Sequence, residues 1–242
     1  MELLLSINWF AVGQIILIDI LLGGDNAIVI ALACRNLPPK LRKRGIVLGT
    51  FGAIAIRVVL IAFAVTLLQV PYLKILGGAL LFWIGIKLLI DDEGGHGEIH
   101  ASDRLLAAVK TIIVADLVMS VDNVIAVAGA AEHAGGEHSM LLVVFGILVS
   151  IPIIIWGSTI VLRLMERFPS IVTIGAGLLG YIAGGMAVHD EAVRPWLDAH
   201  FPDQHLIIPV TDLRLNIAGI VAAVGVVLAG KVMMKKQRLE KV

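Results

Sequence analysis

Two stretches of the sequence place charged and amide side chains inside long runs of Val, Ile, Leu and Ala. Each stretch holds two aspartates six residues apart, and an asparagine directly follows the second aspartate. A charged side chain costs about 2.5–3.5 kcal/mol at the centre of a membrane-spanning helix, so such residues indicate a function there. The six residues are Asp19, Asp25 and Asn26 in DILLGGDNAIVIALA, and Asp116, Asp122 and Asn123 in DLVMSVDNVIAVAGA.

These side chains are oxygen ligands suited to a cation. Carboxylate and carboxamide oxygens, with the hydroxyl of Ser120, are hard donors, and neither stretch contains His or Cys. Such donors favour Mn²⁺, Mg²⁺ or Ca²⁺ over Zn²⁺ or Cu⁺. The sequence therefore predicts a site for a hard divalent cation as substrate, with no resident cofactor. The alternative is a structural polar network that holds helices together.

The number of carboxylates suggests a link between metal and protons. Four ionised carboxylates around one dication leave two uncompensated negative charges in a medium of low dielectric constant. When the metal leaves, the imbalance grows, so we expect some of the carboxyl groups to take up protons. Alternate binding of metal and protons is what a cation/proton exchanger requires, and we hypothesise such an exchange.

A glycine pair before the first Asp-Asn pair predicts a break in the helix. Asp19 and Asn26 are two helical turns apart and face the same way, whereas Asp25 points elsewhere on a straight helix. An unwound turn at Gly23 and Gly24 would bring Asp25 toward Asp19, because glycine accepts irregular backbone. Such backbone is tolerated at membrane depth where it lines a cavity or is buried in protein.

The second stretch has no glycine pair at the equivalent position. Ser120 and Val121 stand there instead. We expect its break to be slighter, or to be made through the Ser120 hydroxyl.

One cation, Arg57, lies in the middle of an apolar segment. A buried guanidinium without a carboxylate partner is costly, so we expect Arg57 to compensate charge beside one of the aspartates. The alternative is that Arg57 reaches toward the membrane surface or faces a lined cavity.

Composition and apolar segments predict an all-α membrane protein. Of the 242 residues, 59% are apolar and the mean hydropathy is +0.97, against roughly 45–50% apolar in soluble domains. The formal net charge is zero, which gives no indication of nucleic-acid binding. About 20 apolar residues cross the hydrocarbon core. Seven segments qualify: 9–33, 44–69, 72–90, 105–131, 139–163, 170–189 and 206–231.

The distribution of Lys and Arg predicts the orientation of these segments. Fifteen of the 19 cations lie in four regions that alternate topology puts on one side: 35–44, 87–110, 163–167 and 231–241. Because cytoplasmic loops are enriched in Lys and Arg, this side is predicted to be cytoplasmic. The N-terminus then lies outside and the C-terminus in the cytoplasm.

The chain contains an internal repeat of about 90 residues. Residues 19–33 match 116–130 at an offset of 97, and 71–85 match 169–183 at an offset of 98. The repeat covers three segments, an odd number, so the second copy is inverted relative to the first. We therefore predict one membrane domain over 1–242, with repeats at 9–90 and 105–189 and an extra helix at 206–231 for packing or dimerisation. Inverted repeats with polar, interrupted helices are typical of secondary transporters that bind substrate at the midplane.

The paired motifs GGDNAIVIA and SVDNVIAVA, each with an aspartate six residues upstream, resemble the TerC family, in particular its short YjbE-type bacterial branch. The resemblance covers nearly the whole chain. It implies two inverted three-helix units and efflux of manganese across the bacterial cytoplasmic membrane. Carried over, it also implies that Asp19, Asp25, Asn26, Asp116, Asp122 and Asn123 form the cation site.

Three classes of function remain open at the level of sequence. The first is a transporter, not an enzyme, whose partners are a divalent metal ion, the lipid bilayer and, left open, a second copy of the chain. The second is an intramembrane enzyme with paired catalytic aspartates. The third is an accessory protein of metal or tellurite resistance that transports nothing itself.

Overall fold

The computed structural model describes residues 24–63, 70–90, 101–133, 139–201, 205–208 and 213–239. Within this part of the chain the protein is a bundle of helices with one short hairpin of two strands. The elements are α1 (Gly24–Cys34), α2 (Pro39–Ala62), α3 (Leu73–Ile90), α4 (Ala101–His133), α5 (Ser139–Arg167), α6 (Ser170–Val188), α7 (Arg194–His200), β1 (His205–Ile208), β2 (Leu213–Asn216) and α8 (Ile217–Leu239).

Four of the described helices are long and apolar enough to cross a membrane. They are α3, α6, the Leu148–Arg167 part of α5 and the Ile217–Gln237 part of α8. The prediction of a membrane protein built from helices is confirmed at this level. The predicted first segment, 9–33, lies outside the described residues up to Gly23.

Several helices extend beyond their predicted ends. Helix α2 begins at Pro39 instead of 44, α4 runs from Ala101 to His133, and α5 continues to Arg167. The apolar pattern locates only the part of a helix in hydrocarbon, whereas charged helical turns continue into the headgroup region. Pro39 suits the first turn of α2 because its missing N–H has no helical partner there.

The predicted last segment, 206–231, is wrong at its start. Strands β1 and β2 pair antiparallel, with Leu206 opposite Leu215, and α8 begins only at Ile217. Asn216 fixes this boundary, because its side-chain oxygen accepts a hydrogen bond of 3.1 Å from Gly219 N–H, as in an N-cap. The Tyr181 hydroxyl on α6 accepts the Asn216 N–H at 3.1 Å. The hairpin departs from the predicted all-α organisation, and the short helix α7 lies in a segment for which no helix was predicted.

Close contacts give the relative directions of the helices. Helices α3 and α6 pack antiparallel, and a Cβ at Gly78 would lie only 2.6 Å from the Ala183 carbonyl oxygen. Helices α2 and α4 pack parallel, since their contacts follow the same order along both chains. These contacts join Gly45 to Leu105, Gly49 to Ile112 and Arg57 to Ser120.

Helix α1 lies at the centre of the bundle. It contacts α2, α4, α5 and α6, and seven of its eleven residues are buried. Its apolar residues belong to the main core, together with residues such as Ile112 on α4 and Leu179 on α6. The helix that carries Asp25 and Asn26 is therefore enclosed by protein over most of its surface.

Asp190, just after α6, ties that helix to the start of α3. Its side chain is 1% exposed, and its carboxylate accepts backbone N–H bonds from Tyr72, Lys74, Ile75 and Ala192 at 2.9–3.3 Å. Burial alone would raise the pKa of Asp190, but these four hydrogen bonds outweigh it and hold the pKa below its usual value. They also accommodate the left-handed backbone of Tyr72, whose φ is 65°.

Candidate cation site

Arg57 and Asp116 form a buried ion pair between α2 and α4. Arg57 is 3% exposed, and its Nη2 donates to Asp116 Oδ1. The Arg57 Nε donates to Ser120 Oγ at 3.1 Å, and the Ser120 hydroxyl donates to Asp116 Oδ2 at 3.1 Å. One guanidinium, one carboxylate and one hydroxyl thus form a closed triangle, which we call the Arg57 clamp.

The local sequence explains how the clamp forms. Asp116 and Ser120 are four residues apart on α4, so their side chains lie on one face of the helix. Gly49 and Gly52 on α2 face Ile112 and Ile113 of α4 without room for a Cβ. This close approach lets Arg57, on the next turns of α2, reach Asp116.

Helix α1 brings a second carboxylate to the same region. Asp25, in the first turn of α1, interacts electrostatically with both Arg57 and Asp116. Its Oδ1 accepts the backbone N–H of Asn26 at 2.7 Å. Asp25 and Asp116, from the first and second copies of the repeated motif, therefore share one electrostatic environment with a single guanidinium.

Asn26 has a buried carboxamide with no hydrogen bond to any of the described residues. The residue is 4% exposed, and neither Oδ1 nor Nδ2 has a hydrogen-bond partner among the described residues. A buried polar group without a partner costs roughly 1–3 kcal/mol. An amide kept at that cost, beside a carboxylate, suits a ligand that is bound only part of the time.

The described residues form part of the predicted site. Within them, no three His, Cys, Asp or Glu side chains lie close enough to hold a metal ion. Asp19 and Gly23 lie outside the described residues. Asp122 and Asn123 lie on α4, whose side chains are described only up to residue 121.

The two copies of the motif differ in their helices. Helix α4 is continuous through the second copy, from Asp116 past Asn123, so the slight break expected there is absent. The Ser120 hydroxyl instead bonds to the Asp116 side chain one turn earlier. In the first copy the predicted break covers Gly23 and Gly24: Gly24 is already the first residue of helix α1, and Gly23 falls outside the described residues.

Sequence reasoning missed one polar residue near the clamp. Thr50 is buried on α2, and its hydroxyl has no partner among the described residues. It lies seven residues before Arg57, two helical turns away, and so on the same face. That spacing is visible in the sequence and could have identified it.

The Lys- and Arg-rich ends of the helices are joined by a network that the sequence did not predict. Arg35 Nη2 donates to the Leu88 carbonyl at the end of α3 at 2.7 Å. Arg42 donates to the Leu37 carbonyl at 3.0 Å and pairs with Glu166 on α5. Arg35 therefore connects the end of α1 to α3, and Arg42 connects the start of α2 to α5, in addition to marking the predicted cytoplasmic side.

A cavity of about 330 Å³ opens near these ends, between α1, α3 and α4. Its walls include Leu32, Lys87, Arg104 and Thr111. Thr111 lies five residues before Asp116 on α4, so the cavity approaches the ion pair to within two helical turns.

Comparison with known proteins finds several bacterial membrane proteins similar to this chain. It is 47% identical to the uncharacterized membrane protein YjbE of Bacillus subtilis (strain 168) over 183 residues, 76% of this chain and 81% of YjbE. It is 28% identical to the uncharacterized membrane protein YceF of the same strain over 197 residues, 76% of this chain and 74% of YceF. It is 26% identical to the UPF0053 inner membrane protein YgdQ of Escherichia coli (strain K12) over 188 residues, 71% of this chain and 77% of YgdQ.

No solved structure matches the chain significantly. A family model, described as the integral membrane protein TerC family, matches residues 5–239. With a match over nearly the whole length and the 47% identity to YjbE, this chain belongs to the TerC family.

Proposed function

We propose that this protein is a secondary transporter that exports a hard divalent cation, Mn²⁺, across the bacterial cytoplasmic membrane. The observation that carries the proposal is the packing of α1, with Asp25 and the buried Asn26 in its first turn, against α4, which carries Asp116, inside a bundle of membrane helices. Intramembrane ionisable residues facing the bundle interior typically mark a substrate or ion pathway. The proposed ligand set adds Asp19, Asp122 and Asn123 from the repeated motif.

The packing of α3 against α6 supports two inverted repeats. Gly78 approaches Ala183, and Gly85 approaches Ala176. The repeat offset of 98 relates Gly78 to Ala176 and Gly85 to Ala183, so each contact becomes the other when the copies are exchanged. Because the two helices are antiparallel, the two-fold axis lies across them, in the plane of a membrane that they span.

The other helix pairs follow the same exchange. Helix α1 packs on α5 and α4 packs on α2, and these pairs are related by the repeat. Helices α1 and α4, which carry the Asp-Asn motifs, contact each other. A site at the interface of two inverted halves is the arrangement expected for alternating access.

The identity of the ion and its direction rest on different grounds. Carboxylate and amide oxygens favour a hard dication. Manganese and outward flux follow from the family resemblance alone. The Escherichia coli relative is named an inner membrane protein, which supports the proposed location. The orientation, with the C-terminus in the cytoplasm, rests on the distribution of Lys and Arg.

The competing functions fit the observations less well. In a catalytic aspartate pair two carboxyl groups share a proton, whereas Asp116 is held by Arg57 and Ser120. A purely structural network accounts for the Arg57 clamp, but it gives no role to the buried Asn26 amide, which has no partner among the described residues. An accessory protein that transports nothing would have no need of that amide either.

Metal flux into everted membrane vesicles tests the proposal. Vesicles containing the wild-type chain should accumulate Mn²⁺ above vesicles without it, and Asp25→Asn should reduce the rate at least about tenfold, as expected for loss of a charged ligand. Asp103→Asn, an exposed aspartate in the first turn of α4, is the matched control and should transport normally. Equal Mn²⁺ content with and without the chain would contradict transport.

Proton exchange needs a separate measurement. In vesicles loaded with a pH-sensitive dye, Mn²⁺ entry should move protons in the opposite direction. Mn²⁺ flux without a pH change, or with protons moving in the same direction, would contradict the exchange and leave metal transport intact.

A further inference from the structure

We propose that Arg57 is a tethered cation that competes with the transported metal for Asp116. The inference rests on the proposed function and adds a mechanism to it. The Arg57 guanidinium remains protonated at any physiological pH, so the chain carries a permanent positive charge at its centre. Its Nη2 lies against one oxygen of Asp116, while Ser120 occupies the other oxygen.

A dication and the guanidinium repel each other when both lie beside this carboxylate. Mn²⁺ bound to Asp116 would lie within a few ångströms of Arg57, where repulsion is strong because little water screens it. The geometry of the Arg57 clamp is therefore that of the metal-free carrier. Metal binding at Asp116 opens the Arg57–Asp116 pair, and closure of the pair helps to expel the metal.

Ser120 holds the clamp together in a way that charge alone would not. Its hydroxyl accepts from Arg57 Nε and donates to Asp116 Oδ2, so it fixes both members of the pair. The same hydroxyl was predicted from the sequence to be a metal ligand. The two roles give opposite effects when the hydroxyl is removed.

The clamp exists in only one half of the repeat. At the offset of 97, Ile154 stands at the position of Arg57 and Gly23 stands at the position of Ser120. Ile154 is buried on α5, the helix that packs against α1. An isoleucine at the position equivalent to Arg57 cannot compete with the metal for a carboxylate. We therefore expect the two halves to bind the metal with unequal strength.

Few other charges face the clamp from the described residues. Helix α1 contributes Asp25, and α4 contributes Asp116 itself. Helices α3 and α5 carry charged residues only near their ends. These are Lys74, Lys87, Arg163, Glu166 and Arg167.

The test measures KM and kcat for Mn²⁺ in proteoliposomes, and the Mn²⁺ dissociation constant of the purified protein. In Arg57→Gln the competitor is gone, so KM and the dissociation constant should fall at least about tenfold, the lower end of the coupling known for close charge pairs. The kcat should fall as well, because closure of the pair no longer helps release.

Ser120→Ala separates competition from the simple removal of a positive charge. It alters no charge, loosens the clamp and should lower KM several-fold. Ser158→Ala is the matched control, because Ser158 is also fully buried in a helix but its hydroxyl donates to the Ile154 carbonyl of its own helix, at 2.7 Å. It should leave KM unchanged.

The outcomes distinguish the two proposals. If the wild-type chain moves Mn²⁺ but Ser120→Ala raises KM, Ser120 is a ligand and the competition is refuted. An unchanged KM in both Arg57→Gln and Ser120→Ala refutes it equally. If Arg57→Gln does not fold, Ser120→Ala carries the test alone, and an unchanged KM in that variant refutes the competition. A wild-type chain that neither binds nor moves Mn²⁺ refutes the proposed function itself.

Discussion

Neutralising one member of the Arg57–Asp116 pair should strongly destabilise the protein, and neutralising both should not. Neither side chain is more than 7% exposed, so water cannot compensate the charge that remains. Removal of one partner from a buried ion pair costs about 3–5 kcal/mol, whereas neutral replacement of both is often tolerated. We expect about 3 kcal/mol for Asp116→Asn, because the asparagine oxygen can still accept one bond from Arg57.

The assay is a double-mutant cycle by thermal unfolding in detergent. For a chain of this length, a loss of about 3 kcal/mol lowers Tm by roughly 6–12 °C. Asp116→Asn and Arg57→Gln should each show such a loss. The double variant should recover most of it, since Asn and Gln can bond to each other, giving a coupling of at least about 1.5 kcal/mol. Losses that simply add would refute the conclusion that the two charges compensate each other.

Three further predictions each concern one buried position: Asn26, Asp190 and Gly78. Asn26→Leu removes a buried amide that has no partner among the described residues, so Tm without metal should stay equal or rise. Stabilisation by added Mn²⁺ should disappear, whereas a Tm loss of several degrees without metal would contradict this prediction. Asp190→Asn should cost about 1–2 kcal/mol at pH 7. The pKa of Asp190 is lowered in the folded protein, so its carboxylate stabilises the wild type at pH values above the usual pKa of 3.8. This stabilisation is lost as the pH falls below that value. Unfolding curves measured at pH 3–7 should therefore converge for wild type and Asp190→Asn at the acid end. Gly78→Ala should cost about 1–3 kcal/mol through its clash with the Ala183 backbone, whereas Gly185→Ala, with open space at its Cβ, should not destabilise the protein.

Much of the helical architecture could be predicted from apolar patterning. A membrane span must satisfy its backbone internally, so a long apolar run is almost always a helix. The same rule failed at 206–216, where the run is apolar enough but contains Asp212, Arg214 and Asn216. Those residues suit a hairpin, and α8 begins where Asn216 caps the helix and is held by its tertiary partner Tyr181.

The polar residues near the site could be found from sequence, but not their pairing. Asp25, Asp116 and Arg57 stand out because charges are expensive inside apolar segments. The carboxylate that Arg57 contacts depends on how α2 packs against α4. The spacing of the glycines on α2 allows a close approach of the two helices but does not determine which residues meet. The bonds of Ser120 to Arg57 and Asp116 could not be predicted for the same reason, since a hydroxyl serves equally as a metal ligand or as a link between neighbouring side chains.

Asp190 shows a different limit of sequence reasoning. It lies in the segment HDEAVRPW, where several charged residues look equally exposed. Its burial follows from the meeting of α6 with the start of α3, more than a hundred residues earlier in the chain. Local composition carries no information about such a contact.

Equilibrium binding of Mn²⁺ to the purified protein, followed by the electron paramagnetic resonance signal of the free ion, tests whether Asp25 helps to hold a divalent cation. We expect one saturable site that is lost in Asp25→Asn and kept in Asp103→Asn. A wild-type protein that leaves the free-ion signal unchanged, or equal binding by both variants, would contradict it.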